Sequence, residues 1–280
     1  MDSFVFAAVL LAAACHAGWN AAIKTGLDAL SSTVLITSGA GLVSFALMPF
    51  VGLPPAAAWV WVAASIVIHL FYFIGLSEAY QTGDLGQVYP LARGAAPLMT
   101  ATATTLLLGE HLGVAGWTGI VTLALGVLLL SLRGGRGLAV DRRAVGFALF
   151  TALTICLYSV VDGIGGRTAI NPHPYTLAVF AGNGVVMAVY FLIRRGTKPV
   201  IPMLRTWPVG LIGGSLQVLS YGIAIWAMTL APIALVAALR ETSVLFGAAI
   251  AIVFLKEPLR AARVVAAVMI VCGLVLIRLS

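Results

Sequence analysis

Long apolar segments alternate with short polar breaks along the whole chain. Each segment comes close to the roughly 20 residues that an α-helix needs to cross a hydrocarbon core about 30 Å thick. β-Strands are excluded because the segments are too long and lack alternating polarity. The pattern predicts an all-α membrane protein with ten transmembrane helices. The predicted spans lie near residues 4–23, 32–52, 57–79, 85–108, 113–132, 143–163, 175–193, 207–228, 233–254 and 259–279.

An internal repeat divides the chain into two similar halves. An ungapped shift of 147 residues places Arg93 on Arg240. The same shift pairs Gly75 with Gly222, Thr82 with Thr229, Leu98 with Leu245, Glu110 with Glu257, Leu112 with Leu259 and Gly126 with Gly273. The sequence therefore predicts two repeats of five helices each, residues 1–138 and 139–280.

The odd number of spans in each repeat has a functional implication. The second repeat must enter the membrane from the opposite side, so the two repeats are inverted relative to each other. Carriers of this design bind substrate near the midplane, where the repeats meet, and work by alternating access. We therefore expect a secondary transporter whose partners are a small-molecule substrate and the lipid bilayer. A monomer is compatible with this design, and a non-transport membrane scaffold is the alternative.

Composition agrees with a lipid environment. Hydrophobic residues make up 61% of the 280 residues and charged residues only 9%, with a mean hydropathy of +1.09. Soluble domains are about 45–50% apolar and about 25% charged. Cys15, Cys156 and Cys272 show no disulfide or metal-ligand spacing. We therefore expect no metal and no cofactor.

Basic residues predict the orientation of the chain. The net charge of +7 is concentrated in short gaps between apolar segments, which favours contact with anionic lipid, and we expect no nucleic-acid partner. The loops after spans 1, 5, 7 and 9 carry most of these residues, whereas the opposite side has Arg167 and Arg278. The positive-inside rule places the basic side in the cytoplasm and both termini outside.

Two acidic hinges, one in each predicted repeat, carry a family resemblance. The fourth span of each half ends in such a hinge, LGEHL at 108–112 and LKEPL at 255–259. The tracts YPLARG at 89–94 and LRETS at 239–243 lie in the same spans. With the repeat and the ten spans, these features resemble the EamA-type carriers of the drug/metabolite transporter superfamily. Lys256 departs from the G-E-x-L hinge pattern of that family, since it replaces the glycine.

The resemblance implies export of amino acids across a bacterial inner membrane by a multi-pass protein. Aromatic or other neutral amino acids are the leading substrates, as in the YddG-like branch. The sequence has no phosphate-binding loop, zinc-protease motif or nucleophile elbow, so we expect neither an ATPase nor any other enzyme. Two other cargoes stay open: an organic anion drawn by Arg93 and Arg240, or a lipophilic cation drawn by Glu78 and Glu241.

Two arginines occupy matching positions within spans 4 and 9. Arg93 and Arg240 need a role, because charges inside a bilayer are costly. A planar guanidinium binds a substrate carboxylate through two parallel hydrogen bonds. In the alternative interpretation the arginines pair with Glu241 and hold the repeats together. Pro90 and Pro97 are expected to bend span 4, whereas span 9 has no interior proline.

Other polar side chains are candidates for lining a substrate cavity. Those in span 1 share one helix face, as do the two in span 8. For the tyrosines and tryptophan, the alternative role is in the interfacial aromatic belts. The candidate binding residues are His16, Trp19, Asn20, Tyr80, Tyr89, Arg93, Tyr158, Gln217, Tyr221 and Arg240.

Acidic residues near span ends are candidates for coupling. Glu78 lies near the end of span 3 and Asp162 near the end of span 6, and a buried carboxylate at either place could bind a coupling proton. Glu241 is a candidate for charge pairing. Because Glu78 and Asp162 lie close to predicted interfaces, we favour their interpretation as solvated end charges. Glu110 and Glu257 are expected to be hinge charges without a coupling role.

Overall fold

The computed structural model describes the backbone of residues 1–22, 27–82, 85–131, 142–255 and 261–280. Side chains are described at these positions except 21–22, 77–82, 85–90, 131, 142–144, 251 and 253–255. Every regular element in these ranges is a helix, which confirms the all-α prediction. The α-helices are α1 (Ser3–Ala22), α2 (Ala29–Val51), α3 (Trp59–Thr82), α4 (Leu85–Leu108), α5 (Val114–Ser131), α6 (Arg142–Thr168), α7 (Pro172–Arg195), α8 (Val200–Leu204), α9 (Trp207–Leu230), α10 (Ile233–Arg240), α11 (Ser243–Leu255) and α12 (Ala261–Leu279).

The outer surface of the bundle is apolar. Large side chains such as Phe50, Leu106 and Val114 are 86%, 77% and 83% exposed. Contiguous apolar surface of this kind is unfavourable in water and suits lipid. Among the described residues, eight segments are long and apolar enough to cross a membrane. The protein is therefore a multi-pass membrane protein.

Glycines bring α2 close to α7 and α9. A Cβ atom added at Gly39 of α2 would lie 2.1 Å from the carbonyl oxygen of Gly210 in α9. One added at Gly41 would lie 3.0 Å from the Cα of Gly184 in α7. Small residues allow such backbone contacts between membrane helices. The three helices consequently form a closely fitted unit that supports the side chains on their inner faces.

Helices α5 and α12 make two contacts that correspond under the shift of 147 residues. A Cβ atom at Gly273 would lie 2.8 Å from the carbonyl oxygen of Gly119. One at Gly126 would lie 3.0 Å from the carbonyl oxygen of Ala266, and the shift exchanges these two contacts. The pairs α1–α9 and α6–α3 exchange in the same way. These exchanges are the ones that two repeats would produce; the division into repeats and the opposite threading of the halves stay predictions.

The ninth span is divided rather than continuous. Helix α10 ends at Arg240 and α11 begins at Ser243. At the break the amide of Glu241 donates to the carbonyl of Ala238 at 3.0 Å, and the next amide also bonds three residues back. Such tighter turns often mark an interruption in a helix. The interruption at Glu241 and Thr242 therefore directly follows Arg240.

The sixth span is longer than predicted. Helix α6 runs to Thr168, so Asp162 lies well inside it. The glycines that follow Asp162 serve packing and do not end the helix. A Cβ atom at Gly163 would lie 2.3 Å from the side chain of Ile233, and one at Gly165 would lie 2.4 Å from the ring of Tyr175. The extra turns of α6 place Asp162 deep in the bundle.

Candidate functional site

A buried ion pair joins the two predicted repeats. Arg93 of α4 and Glu241, in the turn between α10 and α11, are 2% and 3% exposed. The Nε of Arg93 lies 2.5 Å from Oε2 of Glu241, a contact of opposite charges outside hydrogen-bond geometry. The Nη2 of Arg93 donates a hydrogen bond to Oγ of Ser243 at 3.0 Å. Arg93 thus has the pairing role that the sequence left open.

Arg240 precedes Glu241 but faces different neighbours. Its guanidinium carbon lies 4.6 Å from the centroid of the Tyr221 ring. The guanidinium also interacts electrostatically with the Tyr158 hydroxyl. Its Nε is buried and has no hydrogen-bond partner among the described residues. Because a buried donor without an acceptor is costly, this nitrogen is suited to an acceptor group of a ligand.

Asp162 is fully buried and uses both of its carboxylate oxygens. Oδ1 accepts a hydrogen bond from the hydroxyl of Tyr175 at 2.8 Å. Oδ2 accepts one from the hydroxyl of Tyr221 at 2.6 Å. The interpretation of Asp162 as a solvated end charge is therefore wrong, because α6 extends beyond it. Tyr221 connects Asp162, at its hydroxyl, with Arg240, at its ring face.

An aromatic cluster surrounds Tyr158. The ring of His69 stacks on it with a centroid distance of 4.4 Å and an interplanar angle of 19°. Tyr72 and Tyr221 meet it edge-on at 5.5 and 5.6 Å. Nδ1 of His69 is 2.9 Å from the carbonyl oxygen of Ser65. His69 was not among the residues predicted from the sequence, although a histidine inside an apolar span is the signal that identified His16.

The polar residues of α1 lie beside the same cluster. His16 and Trp19 are both 5% exposed, and their rings meet edge-on with a centroid distance of 5.1 Å. His16 interacts electrostatically with Arg93 and Arg240. Asn20 donates from Nδ2 to the carbonyl of His16 at 2.8 Å, so its amide bonds to its own helix.

The remaining candidates differ in what the structure says of them. Gln217 of α9 is 6% exposed, and its buried Oε1 has no hydrogen-bond partner in the described part of the chain. It lies one helical turn before Tyr221. The side chains of Glu78, Tyr80 and Tyr89 lie outside the described residues. Their roles therefore stay predictions.

The cluster combines balanced charge with an aromatic wall. Two arginines and two carboxylates, Arg93, Arg240, Glu241 and Asp162, are each at most 5% exposed. Electrostatic interactions are strong in such a dry setting. A ligand that brings one carboxylate alters this balance and can use the unpaired Nε of Arg240. The arrangement is therefore suited to reversible binding of a small charged molecule.

Comparison with known proteins gives a fold and a family. A solved structure described as "Crystal structure of protein" superposes with a TM-score of 0.73 at 20% identity, over 98% of this chain and 96% of that chain. At this identity the likeness shows the fold alone. A search of curated proteins finds no match.

The family evidence comes from the second half of the chain. Residues 142–279 match the EamA-like transporter family, and this range runs from the start of α6 to the end of α12. It contains Asp162, Tyr221, Arg240 and Glu241 of the cluster described above. Through this match the chain belongs to the EamA-like transporter family of the drug/metabolite transporter superfamily and is a membrane transporter of small substrates.

Proposed function

We propose that the protein is a secondary transporter that exports amino acids, aromatic or other neutral ones first, across a bacterial inner membrane by alternating access. The observation that carries this proposal is the buried guanidinium of Arg240, whose Nε has no hydrogen-bond partner among the described residues. A guanidinium recognises a carboxylate through two parallel hydrogen bonds. Every amino acid has a carboxylate, so Arg240 fits the part that this substrate class shares.

Arg93 supplies a second positive charge, which Glu241 occupies in this conformation. A substrate carboxylate that binds between Arg93 and Arg240 competes with Glu241 for Arg93. The turn at residues 241–242 then loses one of its anchors and can move. Discontinuous helices at the substrate site are common in inverted-repeat carriers. This competition connects the occupancy of the site with movement of α10 and α11.

The aromatic cluster supports the preference for aromatic or apolar side chains. His69, Tyr72, Tyr158 and Tyr221 present stacked and edge-on rings next to Arg240. An additional aromatic ring gains about 0.5–1.5 kcal/mol from such a pair beyond its burial. A phenyl or indole side chain is therefore a suitable partner for this wall, with its carboxylate directed to Arg240.

The two-repeat arrangement is part of the same proposal. The contacts between α5 and α12, and the pairs α1–α9 and α6–α3, correspond under the shift of 147 residues. A pseudo-two-fold relation between the repeats explains this correspondence. We infer that residues 1–138 and 139–280 rock against each other and expose the cluster to one side of the membrane at a time.

Counterflow in proteoliposomes tests the proposal. Vesicles are loaded with unlabelled L-phenylalanine, and uptake of the labelled compound is measured with L-leucine, phenylethylamine or 3-phenylpropanoate as competitor. We expect L-leucine to compete, and phenylethylamine, which lacks a carboxylate, not to compete. Arg240→Lys should lower uptake by about tenfold or more, because a lysine lacks the planar pair of donors. Arg195→Lys is the matched control, since Arg195 is an exposed residue at the end of α7, and it should leave uptake unchanged.

An organic anion is the second candidate substrate, and Arg240 favours it as well. A monocarboxylate such as 3-phenylpropanoate satisfies the guanidinium without needing a site for an ammonium group. If 3-phenylpropanoate exchanges while neither amino acid competes or exchanges, the amino-acid proposal is wrong. The carrier would then be assigned to organic anions.

A further inference from the structure

A second ion pair lies where α6 ends, away from the binding cluster. Arg167, in the last turn of α6, donates from Nη2 to Oε1 of Glu110, in the hinge after α4, at 2.8 Å. The side chain of Glu110 is only 8% exposed, whereas that of Arg167 is 38% exposed. Each residue comes from a different predicted repeat. The sequence predicts Glu110 to be a hinge charge without a coupling role, and it does not indicate this ion pair.

The pair is built into the connection between α9 and α10. Arg167 also donates to two backbone carbonyls, from Nε to Met228 at 2.9 Å and from Nη2 to Ala231 at 3.2 Å. Oε1 of Glu110 accepts a further hydrogen bond from the amide of Ile233 at 3.0 Å. The carbonyls at a helix end and the amides at a helix start lack partners within their helices. Arg167 therefore donates hydrogen bonds to carbonyls at the end of α9, and Glu110 accepts one from the amide at the start of α10. The helix dipoles favour a cation at the first place and an anion at the second.

Helix α10 connects this ion pair with the binding cluster. It begins at Ile233, which contacts Glu110, and ends at Arg240, which packs on Tyr221. Its eight residues span about 12 Å, and all of them are buried. A short helix that is enclosed on all sides moves as one body. A displacement at its first residue consequently reaches the guanidinium at its last residue.

We propose that Arg167 and Glu110 form the gate at this end of the transporter. Their ion pair, together with its hydrogen bonds to the ends of α9 and α10, holds α10 in the closed position, and it must separate before the binding cluster opens to the side on which α6 ends. Both are positioning residues, because they act on Arg240 through α10. The gate rests on the proposed transport function, but its test needs no substrate, so failure of one does not imply failure of the other.

A contrasting ion pair provides the control. Arg195, at the far end of α7, lies 3.3 Å from Asp28, and their side chains are 40% and 48% exposed. Helix α7 has 24 residues and is about 36 Å long, so this pair lies at the opposite end of the bundle. Exposed pairs of this kind contribute little. Changing Arg195 removes the same charge from the protein without touching α10.

Labelling of a buried cysteine measures the gate directly. The three native cysteines are replaced by serine, and Ala234→Cys is introduced in the first turn of α10, where Ala234 is 0% exposed. A membrane-impermeant maleimide is added to vesicles of either orientation. Arg167→Gln should raise the labelling rate about tenfold or more from one side only, because it shifts the population towards the open state. Arg195→Gln should leave the rate at the value of the parent.

Two further variants keep the test decisive. The exchanged pair Arg167→Glu with Glu110→Arg restores the ion pair but not the bonds to the ends of α9 and α10, so it should label as fast as Arg167→Gln. Glu110→Gln removes the charge of the partner, should also label faster, and carries the test if Arg167→Gln does not fold. Ile170→Cys, at a position 91% exposed, must label equally in every background.

Each outcome has one meaning. A parental labelling rate in folded Arg167→Gln, or in Glu110→Gln if it is the only folded variant, overturns the gate. A parental rate in the exchanged pair overturns the role of the two helix ends. Faster labelling in both, with no change in Arg195→Gln, supports the proposal whatever the substrate is.

Discussion

Helix α4 and the α10–α11 segment occupy matching positions in the two predicted repeats, yet only the second is interrupted. Helix α4 is unbroken over 24 residues with Pro97 in its interior, whereas the backbone between α10 and α11 turns without any proline. A proline removes one backbone hydrogen bond, and neighbouring groups in a membrane bundle can compensate for that loss. The bend predicted from Pro90 and Pro97 stays a prediction.

The interruption coincides with two adjacent charges that have different partners. Arg240 packs on Tyr221 of α9, whereas Glu241 contacts Arg93 of α4. The hydroxyl of Thr242 donates to the carbonyl of Leu239 at 2.7 Å and so gives it a second donor besides the Thr242 amide. The interruption thus lies beside the buried charges of Arg240 and Glu241, whereas Pro97 lies within a continuous helix.

Removal of Glu241 should lower the stability of the protein more than any other change described here. Glu241→Leu leaves Arg93 buried without its counter-charge, which costs about 3–5 kcal/mol in comparable buried pairs. Denaturant titration in micelles, followed by circular dichroism, measures the loss of stability. The double variant Arg93→Leu with Glu241→Leu should regain most of it, because an apolar pair avoids the desolvation penalty. Equal stability of the single variant and the parent would show that the ion pair does not hold the break.

A smaller loss of stability is expected from Tyr221→Phe. The ring that supports Arg240 is kept, but Oδ2 of Asp162 loses its donor, which costs about 2–3 kcal/mol for a buried charged group. The same titration measures it. Tyr175→Phe is the matched control, because it removes the donor to Oδ1 and leaves the neighbours of Arg240 unchanged. A Tyr221→Phe variant as stable as the parent would contradict the assigned hydrogen bond.

The sequence predicts the two matching spans and their arginines, but not the partners of those arginines. Length and hydropathy locate spans 4 and 9, and the shift of 147 residues pairs Arg93 with Arg240. Whether an arginine binds Glu241 or a ligand depends on side-chain directions at the turn, which local pattern does not encode. Asp162 was misplaced because span 6 was predicted to end near residue 163, whereas α6 continues to Thr168.

Contacts between distant segments were beyond the reach of pattern alone. Arg167 is 57 residues from Glu110 in the chain, and nothing in either local sequence indicates that they meet. His69 could have been found by the reasoning applied to His16, since both are histidines inside apolar spans. Its stacking on Tyr158 could not, because it depends on how α3 packs against α6.

Ser243→Ala should lower the stability only modestly, and it separates the hydrogen bond of Arg93 from its ion pair. The variant removes one hydrogen bond from the buried Arg93 and leaves its contact with Glu241 in place. We expect a loss of about 1 kcal/mol by denaturant titration. Ser220→Ala, which removes a buried hydroxyl that donates to Ala12 instead, is a control for loss of a hydroxyl elsewhere. A loss as large as that of Glu241→Leu would show that Ser243, and not the ion pair, anchors the turn.

Pro97→Ala should have the smallest effect. Helix α4 is already continuous at this position, so alanine adds one backbone donor without creating a new fold. The change in stability should stay within about 1 kcal/mol, with unaltered helical content by circular dichroism. A large gain of helix would mean that the proline interrupts α4 as the buried charges interrupt the ninth span.

The central claim is that Arg240, at the broken span, binds the carboxylate of the substrate. Isothermal titration of the purified transporter with L-phenylalanine and with L-phenylalaninamide, which lacks the carboxylate, tests it most directly. We predict that the parent binds L-phenylalanine and not the amide, and that Arg240→Lys loses this binding while Arg195→Lys keeps it. Equal binding of both ligands, unchanged in Arg240→Lys, would contradict the claim.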